Sequence, residues 1–438
     1  MSAGLPSALA ALAKLGGALH RPSWRAALPA LLGVGLLAAL PHTLHAEASA
    51  AEGADRPHAA PEQARVIPLG LSAPKTPTPP RVDLAHLRYA DGKVFAKTHD
   101  GSEAQLTLQP ALQHGTEKLL RRAHTVRGAI IVTDITTGKV LAVTDISHEQ
   151  SAQGRVAFGY AAPTASLFKL VTAATLLERA RVSPSLKVCT DGGHRRIERK
   201  HLEPARSAHA LCANFSSALG HSRNAVFAQL ATRFLMREQL QDIATRFGFG
   251  HDLPFSQPAI VGHVEIPYND LQFARTAAGF GDTQITAVGA AHIAGLVALG
   301  GLSSELTLVE AWQDYRAPEQ VVRGERKLKR STARRLRRMM EVTVSGGTSL
   351  EAFSRKDGQS YLPRIRVAGK TGTLKPSKES PTTSWFVGFA PARSPKVVVS
   401  VLLMNDAVWH YKANEVARDV LRLYFGSHHG VTSPFSDE

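Results

Sequence analysis

Apolar and polar residues follow two different periods along this chain, and each period predicts its own kind of element. Strand candidates occur near both ends, at 93–97, 105–108, 128–134, 139–143, 364–369, 384–390 and 396–404; those at 128–134 and 139–143 are rich in apolar residues and predict a β-hairpin of buried strands. The helical period occupies 110–123, 163–178, 222–234, 238–247, 277–299, 323–344 and 414–425, the last with an asparagine cap at Asn414. Residues 184–221 keep neither period. Strands from distant parts of the chain with helices between them indicate an α+β fold, an antiparallel β-sheet flanked by helices with an all-helical lobe beside it.

The first 81 residues look different from the rest. In residues 1–46, basic residues precede an apolar run over 26–40 and a small residue, Ala46, at which a signal peptidase could cut. The run is shorter than the roughly 20 residues of a membrane span. We therefore expect a signal peptide or, as the alternative, an uncleaved membrane anchor. In both cases the chain is exported to the periplasm or the outer face of the cytoplasmic membrane.

The remaining boundaries follow from composition. Residues 47–81, rich in Ala and Pro, are predicted to be a disordered linker. A short lead-in that contains a strand follows at 82–102, the folded domain spans 103–426, and residues 427–438 are predicted to be a flexible tail.

Charge suggests an anionic partner, because the 438 residues carry a formal net charge of +16. The densest basic run, 323–338, has nine Lys or Arg residues and one Glu. It contains no aromatic residue for base stacking and no nucleic-acid motif accompanies it, so we expect no nucleic-acid partner. We interpret the run mainly as a solvated helical face; attraction to anionic wall polymer or lipid headgroups is a further hypothesis.

The irregular stretch 184–221 invites a metal-site interpretation because it contains four histidines. They follow no ligand spacing, so we predict neither a metal nor another cofactor there. These histidines are His194, His201, His209 and His221. The only two cysteines of the chain, Cys189 and Cys212, lie in the same stretch, and in an exported protein they are candidates for a disulfide.

Candidate chemistry begins with Ser166 and Lys169. Residues three apart on a helix share a face, and burial at a helix start lowers the pKa of a lysine, so this lysine could deprotonate the serine. The pattern Ser-x-x-Lys is weak alone: it recurs at 72–75, among prolines where no helix can form.

Two further motifs follow in a meaningful order. Ser222-Arg223-Asn224 is the only Ser-x-Asn of the chain and lies at a predicted helix start. Lys370-Thr371-Gly372-Thr373 contains the only Lys-Thr-Gly and follows a predicted strand. The three motifs together resemble those of penicillin-binding proteins and serine β-lactamases. Five further stretches are similar to the transpeptidase domain of penicillin-binding proteins, and the resemblance covers roughly 103–426; they are 104–113, 132–143, 247–250, 278–301 and 385–391.

The resemblance implies acyl transfer from a peptide ending in D-Ala-D-Ala to Ser166, then attack by an amine of a neighbouring peptidoglycan stem peptide. It also implies acylation by β-lactams, which mimic the substrate. The roles that it implies are a base at Lys169, a proton relay at Ser222, a holder of the substrate amide and the lysine at Asn224, and carboxylate binding by Lys370 and Thr371. Gly372 would leave room for substrate along the strand, and the backbone N–H groups of Ser166 and Thr373 would form the oxyanion hole.

Several alternatives stay open. Class A and class B penicillin-binding proteins carry a further large domain. Here about 55 residues separate the N-terminal segment 1–46 from the resembling region, which is too few for such a domain. We therefore expect a stand-alone transpeptidase domain that contacts the membrane only through its N-terminal segment, if that segment is not cleaved. A D,D-carboxypeptidase or a serine β-lactamase would send the acyl-enzyme to water, and Glu265 with Asn269 has the spacing of a class A deacylating pair. A non-turnover β-lactam or muropeptide sensor is the third hypothesis.

Overall fold

The structure, a computed structural model, describes residues 78–148, 156–406, 408–426 and 431–436. The predicted signal or anchor at 1–46 and the predicted linker up to residue 77 lie outside the described residues. All described residues belong to one compact unit.

The described part of the chain contains ten α-helices. In chain order they are α1 (Pro110–Arg122), α2 (Lys169–Glu178), α3 (Phe215–Gly220), α4 (Asn224–Phe234), α5 (Arg237–Arg246), α6 (Asp270–Ala277), α7 (Ala287–Ala298), α8 (Arg330–Ser345), α9 (Leu350–Phe353) and α10 (Ala413–Gly426). Two 3-10 turns add Ala165–Phe168 and Arg199–His201. Among the described residues, no helix combines the length and the hydrophobicity that a membrane crossing requires.

The strands form several antiparallel sheets. In chain order they are β1 (Arg88–Ala90), β2 (Lys93–Lys97), β3 (Glu103–Leu106), β4 (Arg127–Asp134), β5 (Val140–Ser147), β6 (Ala162–Pro163), β7 (Lys187–Thr190), β8 (Leu211–Asn214), β9 (Gly262–Val264), β10 (Thr283–Ile285), β11 (Leu302–Ser304), β12 (Val309–Trp312), β13 (Tyr315–Arg316), β14 (Arg323–Arg326), β15 (Ala368–Leu374), β16 (Thr382–Ala390) and β17 (Val397–Asn405).

The central sheet has five strands in the order β15-β16-β17-β4-β5, so strands from both ends of the domain lie side by side. Every residue of β17 is buried, because α7 packs on one face of the sheet and α1 and α10 pack on the other. Alternate residues of β17 accordingly belong to two separate apolar cores, with Val398 in one and Val399 in the other. The predicted α+β fold is confirmed.

Helix α2 lies at the centre of the helical lobe. All ten of its residues are buried, as expected for a helix that is surrounded on every side. Its neighbours are α4, α5 and α8. The lobe thus holds the N-terminal end of α2 against the edge of the central sheet, where the 3-10 turn Ala165–Phe168 contacts β15.

The single helix predicted over 277–299 is wrong. Helix α6 ends at Ala277, β10 follows, and α7 begins only at Ala287. The break occurs where Gly279 adopts a left-handed φ of 89° and where the Thr286 hydroxyl accepts a hydrogen bond from the backbone N–H of Gly289, which caps α7.

Three other predicted boundaries need correction. Residues 323–326 are not helical but form strand β14, which pairs with β11, and α8 begins at Arg330. The strand predicted at 364–369 starts only at Ala368. Asn414 lies inside α10 and is not its cap; its side-chain amide is buried and donates to Ser349 Oγ at 3.2 Å.

The lead-in and the tail both belong to the folded unit. Strands β1, β2 and β3 share one sheet with β12 and β13, so 82–102 is part of the domain. The tail, expected to be flexible, is packed over 431–436. Val431 is buried in the core beside α1 and α10, and Arg422 donates to the backbone oxygens of Thr432 and Ser433.

Cys189 and Cys212 face each other across the antiparallel pair β7 and β8, and the structure joins them in a disulfide. The bridge closes the loop that carries His194 and His201. This loop packs on α4, where the side-chain amide of Gln229 donates to the backbone oxygen of His201 at 3.0 Å.

We predict that the denatured, unreduced protein contains no free thiol and that reduction yields two per chain, measured with a thiol-reactive dye. Replacing both Cys189 and Cys212 with Ala should lower the free energy of unfolding by about 3 kcal/mol, because the unfolded chain regains the entropy of a 23-residue loop. Two free thiols before reduction would contradict the bridge.

Candidate active site

Ser166 lies in the 3-10 turn Ala165–Phe168, which runs directly into α2. With three residues per turn, a 3-10 helix aligns side chains at i and i+3. Lys169 Nζ therefore lies 2.8 Å from Ser166 Oγ. The structure puts both side chains on one face, as the spacing predicts, although the local helix is 3-10 rather than α.

Two contacts hold this turn in place. Ala165 has a left-handed φ of 49°, which is uncommon for a residue with a side chain and persists only where its surroundings impose it. Gly279 lies so close that a Cβ there would meet the Ala165 carbonyl oxygen at 2.3 Å. On the other side, Trp385 Nε1 donates to the Pro163 oxygen at 2.9 Å. The backbone around Ser166 is thus clamped between the helical lobe and the sheet.

The Lys169 amine is fully buried. Burial, and next the charge of Lys370, hold the pKa of Lys169 well below its ordinary value. Its neighbours fit a neutral amine, which has two N–H donors and one lone pair. Asn224 Oδ1, at 2.7 Å, and the Ala278 carbonyl oxygen can only accept, so the lone pair is left for the hydroxyl of Ser166. The arrangement can move a proton from Ser166 to Lys169.

The Ser-x-Asn motif surrounds a helix start. Asn224 is the first residue of α4, and its Nδ2 donates to the His194 backbone oxygen, which turns Oδ1 towards Lys169. Ser222 precedes the helix with a left-handed φ of 56°. The predicted helix from Ser222 therefore begins two residues later, and the strained backbone directs the serine hydroxyl out of the helix.

Lys370 lies within β15, not after a strand as predicted, and its amine is fully buried. Lys370 Nζ donates to Ser222 Oγ at 3.1 Å and to the Thr371 oxygen at 2.7 Å. Burial lowers the pKa of Lys370 to about 7. We expected this amine to meet a substrate carboxylate directly, whereas the structure directs it to Ser222.

The side chains at 371–373, directly after Lys370, point alternately to the two faces of β15. This strand is an edge strand of the central sheet in the described chain. Thr371 and Thr373 line an open cavity, whereas Gly372 faces the Ser166 turn. A Cβ at Gly372 would lie 3.2 Å from the Thr164 oxygen and 3.3 Å from the Ala165 Cβ. Gly372 thus permits the close approach of β15 to the serine turn, and it does not leave room for substrate as we expected.

The cavity, of about 350 Å³, brings the three motifs together. Its lining includes Ser166, Ser222, Asn224, Thr371 and Thr373, together with residues that the sequence did not single out as site residues: Thr348, Ser384, Trp385, Trp409, Lys412 and Asn414. For these residues the sequence contains two signals: the pair Gly346-Gly347 directly before Thr348, and the resemblance of 385–391 to the transpeptidase domain.

Thr348 connects three parts of the site. Its hydroxyl lies 2.6 Å from that of Thr371, and its backbone N–H donates to Gly220, which lies two residues before Ser222. Asn414 Nδ2 lies 3.5 Å from the Thr348 oxygen. Thr348 therefore fixes the orientation of the Thr371 hydroxyl towards the cavity.

The histidines considered for a metal site and the pair Glu265 and Asn269 are not part of the described lining of this cavity. Among the described residues, no cluster of His, Cys, Asp and Glu could hold a metal ion. His201 Nδ1 accepts from the Glu198 backbone N–H at 2.9 Å, so it stabilises the loop. Glu265 is exposed, and Asn269 caps α6.

Comparison with known proteins agrees with this geometry. The profile of the penicillin binding protein transpeptidase domain matches residues 128–422. Peptidoglycan D,D-transpeptidase PbpA of Mycobacterium tuberculosis is 24% identical over 346 residues, which cover 70% of this chain and 68% of that protein. Stage V sporulation protein D of Bacillus subtilis is 28% identical over 255 residues, 55% of this chain and 38% of that one.

Two solved structures share the fold. The D,D-transpeptidase domain of a peptidoglycan glycosyltransferase from Eggerthella lenta has a TM-score of 0.61 and 22% identity, over 77% of this chain and 95% of that one. The imipenem acyl-enzyme complex of penicillin-binding protein A from M. tuberculosis has a TM-score of 0.59 and 22% identity, over 74% and 79%. Since the profile match spans more than half of the chain, this protein belongs to the penicillin binding protein transpeptidase domain family.

Proposed function

We propose that this chain is a peptidoglycan D,D-transpeptidase, which cross-links stem peptides through an acyl-enzyme at Ser166 and is acylated by β-lactams at the same serine. The observation that carries the proposal is the buried amine of Lys169 at 2.8 Å from the Ser166 hydroxyl, with its other two contacts on pure acceptors. The names of the relatives, a D,D-transpeptidase and a penicillin-binding protein in an imipenem acyl-enzyme complex, support the same reaction.

Acylation starts when Lys169 takes the proton of Ser166 and Ser166 Oγ attacks the carbonyl carbon of the penultimate D-Ala. The negative charge on the carbonyl oxygen is stabilised by the backbone N–H groups of Ser166 and Thr373. Ser222 then gives its proton to the leaving amine of the terminal D-Ala, and the C–N bond breaks. Ser222 regains a proton from Lys370, whose pKa of about 7 makes it able to give one near neutral pH.

Substrate binding uses groups that face the cavity. The hydroxyls of Thr371 and Thr373 bind the terminal carboxylate, and β15 offers its free edge to an extended peptide. The Lys370 amine donates to Ser222 Oγ, and its positive charge attracts the substrate carboxylate from there. Asn224 holds Lys169 with its oxygen, while one N–H of its amide remains for the substrate beside the bond to His194.

In the second half of the reaction, an amine of a neighbouring stem peptide attacks the acyl-enzyme carbon and loses a proton through Ser222 to Lys370, while Ser166 leaves and regains its proton from Lys169. We further propose that the chain is exported and works in the periplasm or on the outer face of the cytoplasmic membrane, held there by the N-terminal segment if that segment is not cleaved. The name of the relative PbpA, a peptidoglycan D,D-transpeptidase, supports this location.

The reaction is tested by following the acyl-enzyme. Mass mapping of a labelled-penicillin adduct should identify Ser166, and a stem-peptide donor should give a cross-linked product whose amount depends on added acceptor amine. Rapid hydrolysis of a chromogenic β-lactam would indicate a β-lactamase instead, and release of D-Ala without cross-linking would indicate a carboxypeptidase. A stable adduct with no turnover of either donor would favour the sensor.

Replacing Lys169 with Arg should slow acylation by labelled penicillin by roughly 10³-fold, because the guanidinium stays protonated and cannot accept the proton of Ser166. Lys169→Met should be slowed as much, since it keeps the site neutral but has no basic nitrogen. The exposed Lys187→Arg serves as the control and should acylate at the parent rate. Parent-like acylation in Lys169→Arg would remove Lys169 as the base.

Thr348→Val, which keeps the shape but removes the hydroxyl, should raise the KM for a D-Ala-D-Ala donor by about tenfold, a loss typical of one hydrogen bond to a charged group. The reason is that Thr371 loses the partner that orients its hydroxyl. Thr348→Ser should restore the parent KM, and kcat should change little in both variants. An equal fall of kcat with unchanged KM would contradict this positioning role.

A further inference from the structure

The basic run is not the simple helical face that its sequence predicts. It forms strand β14, a short connection and the first half of α8. Lys327 pairs with Glu325, and Arg337 donates to the Arg393 backbone oxygen. The other seven basic side chains are exposed and form what we call the cationic face: Arg323, Arg326, Lys329, Arg330, Arg334, Arg335 and Arg338.

The charges of the cationic face are not neutralised within the described chain. The single acidic residue of the run, Glu325, pairs with Lys327 at 2.7 Å, and none of the seven makes an ion pair with another described residue. Arg330, Arg334 and Arg338 lie at successive i, i+4 positions of α8, where like charges destabilise a helix. The N-terminus of α8 already has a carboxylate, since the Lys329 backbone N–H donates to Glu178 Oε2 at 3.0 Å. An external anion would therefore relieve the repulsion among the three arginines.

The β14 end of the cationic face lies near the first described residues of the chain. Asp252 and Leu253 border Arg81 on one side and the β14 residues Gly324 and Glu325 on the other. The loop that contains them is bound to the incoming chain, since Gln257 Oε1 accepts from the Val82 backbone N–H at 3.1 Å. The segment that enters here follows the apolar run over 26–40.

Two apolar side chains accompany these charges. Val322, directly before β14, is 47% exposed, and Ile260, in the same loop as Asp252, is 41% exposed. Charges flanked by exposed aliphatic side chains suit a surface that is anionic at its headgroups and apolar beneath them. A wall polymer of repeated phosphates would gain from the arginines but not from Val322 and Ile260.

We propose that the cationic face docks the domain on an anionic lipid surface. The guanidinium groups pair with lipid phosphates, and Val322 and Ile260 enter the interface beside them. The docking does not require the catalytic groups, so it stands independently of the proposed reaction. It would hold the domain close to the membrane even if the N-terminal segment were cleaved.

The test is flotation of the full chain with phosphatidylcholine vesicles that do or do not contain phosphatidylglycerol. The triple variant Arg330→Glu, Arg334→Glu, Arg338→Glu should lose about 100-fold in binding to the anionic vesicles, since each of the three basic residues contributes a factor of about five. The matched control Lys93→Glu, Lys187→Glu, Lys356→Glu alters exposed lysines elsewhere with the same change in net charge and should bind within about twofold of the parent. Parent binding should weaken with salt.

Both triple variants should still be acylated by labelled penicillin, which establishes that they fold. If charge reversal prevents folding, Gln, which is also a good helix former, replaces the same three arginines in one variant and the same three control lysines in the other, which keeps the comparison matched in net charge. Equal losses in the two triple variants, or no preference of the parent for anionic vesicles, would overturn the proposal. So would tight binding to an isolated anionic wall polymer that exceeds vesicle binding and is unchanged in Val322→Ser.

Discussion

The burial of one amine underlies the whole site. Lys169 is 0% exposed, and an ammonium in that position would lack the solvation that it has in water. Its surroundings therefore favour the neutral form, and they supply two acceptors for its two N–H groups and a hydroxyl for its lone pair. A neutral lysine at hydrogen-bond distance from Ser166 is what the acylation reaction requires.

The rest of the fold can be understood as the support for this contact. Helix α2 is buried on every side, so the lysine at its first position cannot reach water. Gly279 and Trp385 clamp the turn before it from the lobe and from the sheet. Lys370, 201 residues further along the chain, lies close enough to lower the pKa of Lys169 and to bind the Ser222 hydroxyl. Each of these groups comes from a different element, so the site depends on the packing of lobe against sheet.

The structure also separates residues that the motifs had grouped together. Within Lys370-Thr371-Gly372-Thr373, the two threonines face the cavity, the glycine faces the serine turn and the lysine amine lies behind the strand on Ser222. The alternation of a β-strand imposes this division. The cationic face lies on β14 and α8, and none of its seven side chains is part of the described lining of the catalytic cavity. Binding of a surface and turnover of a peptide can therefore be altered separately.

The sequence by itself determined the local features: most strands and helices, the α+β class, and the three short motifs, because a period and a short motif each depend only on neighbouring residues. It could not place the break between α6 and α7, since an Ala- and Gly-rich run is compatible with an unbroken helix until Gly279 must approach the Ala165 carbonyl. Nor could it find Thr348, Lys412 or Asn414, whose roles depend on contacts between distant segments. Only the tertiary structure decided that Lys169 is buried and that Lys370 faces Ser222, because burial and through-space charge arise when the lobe closes on the sheet.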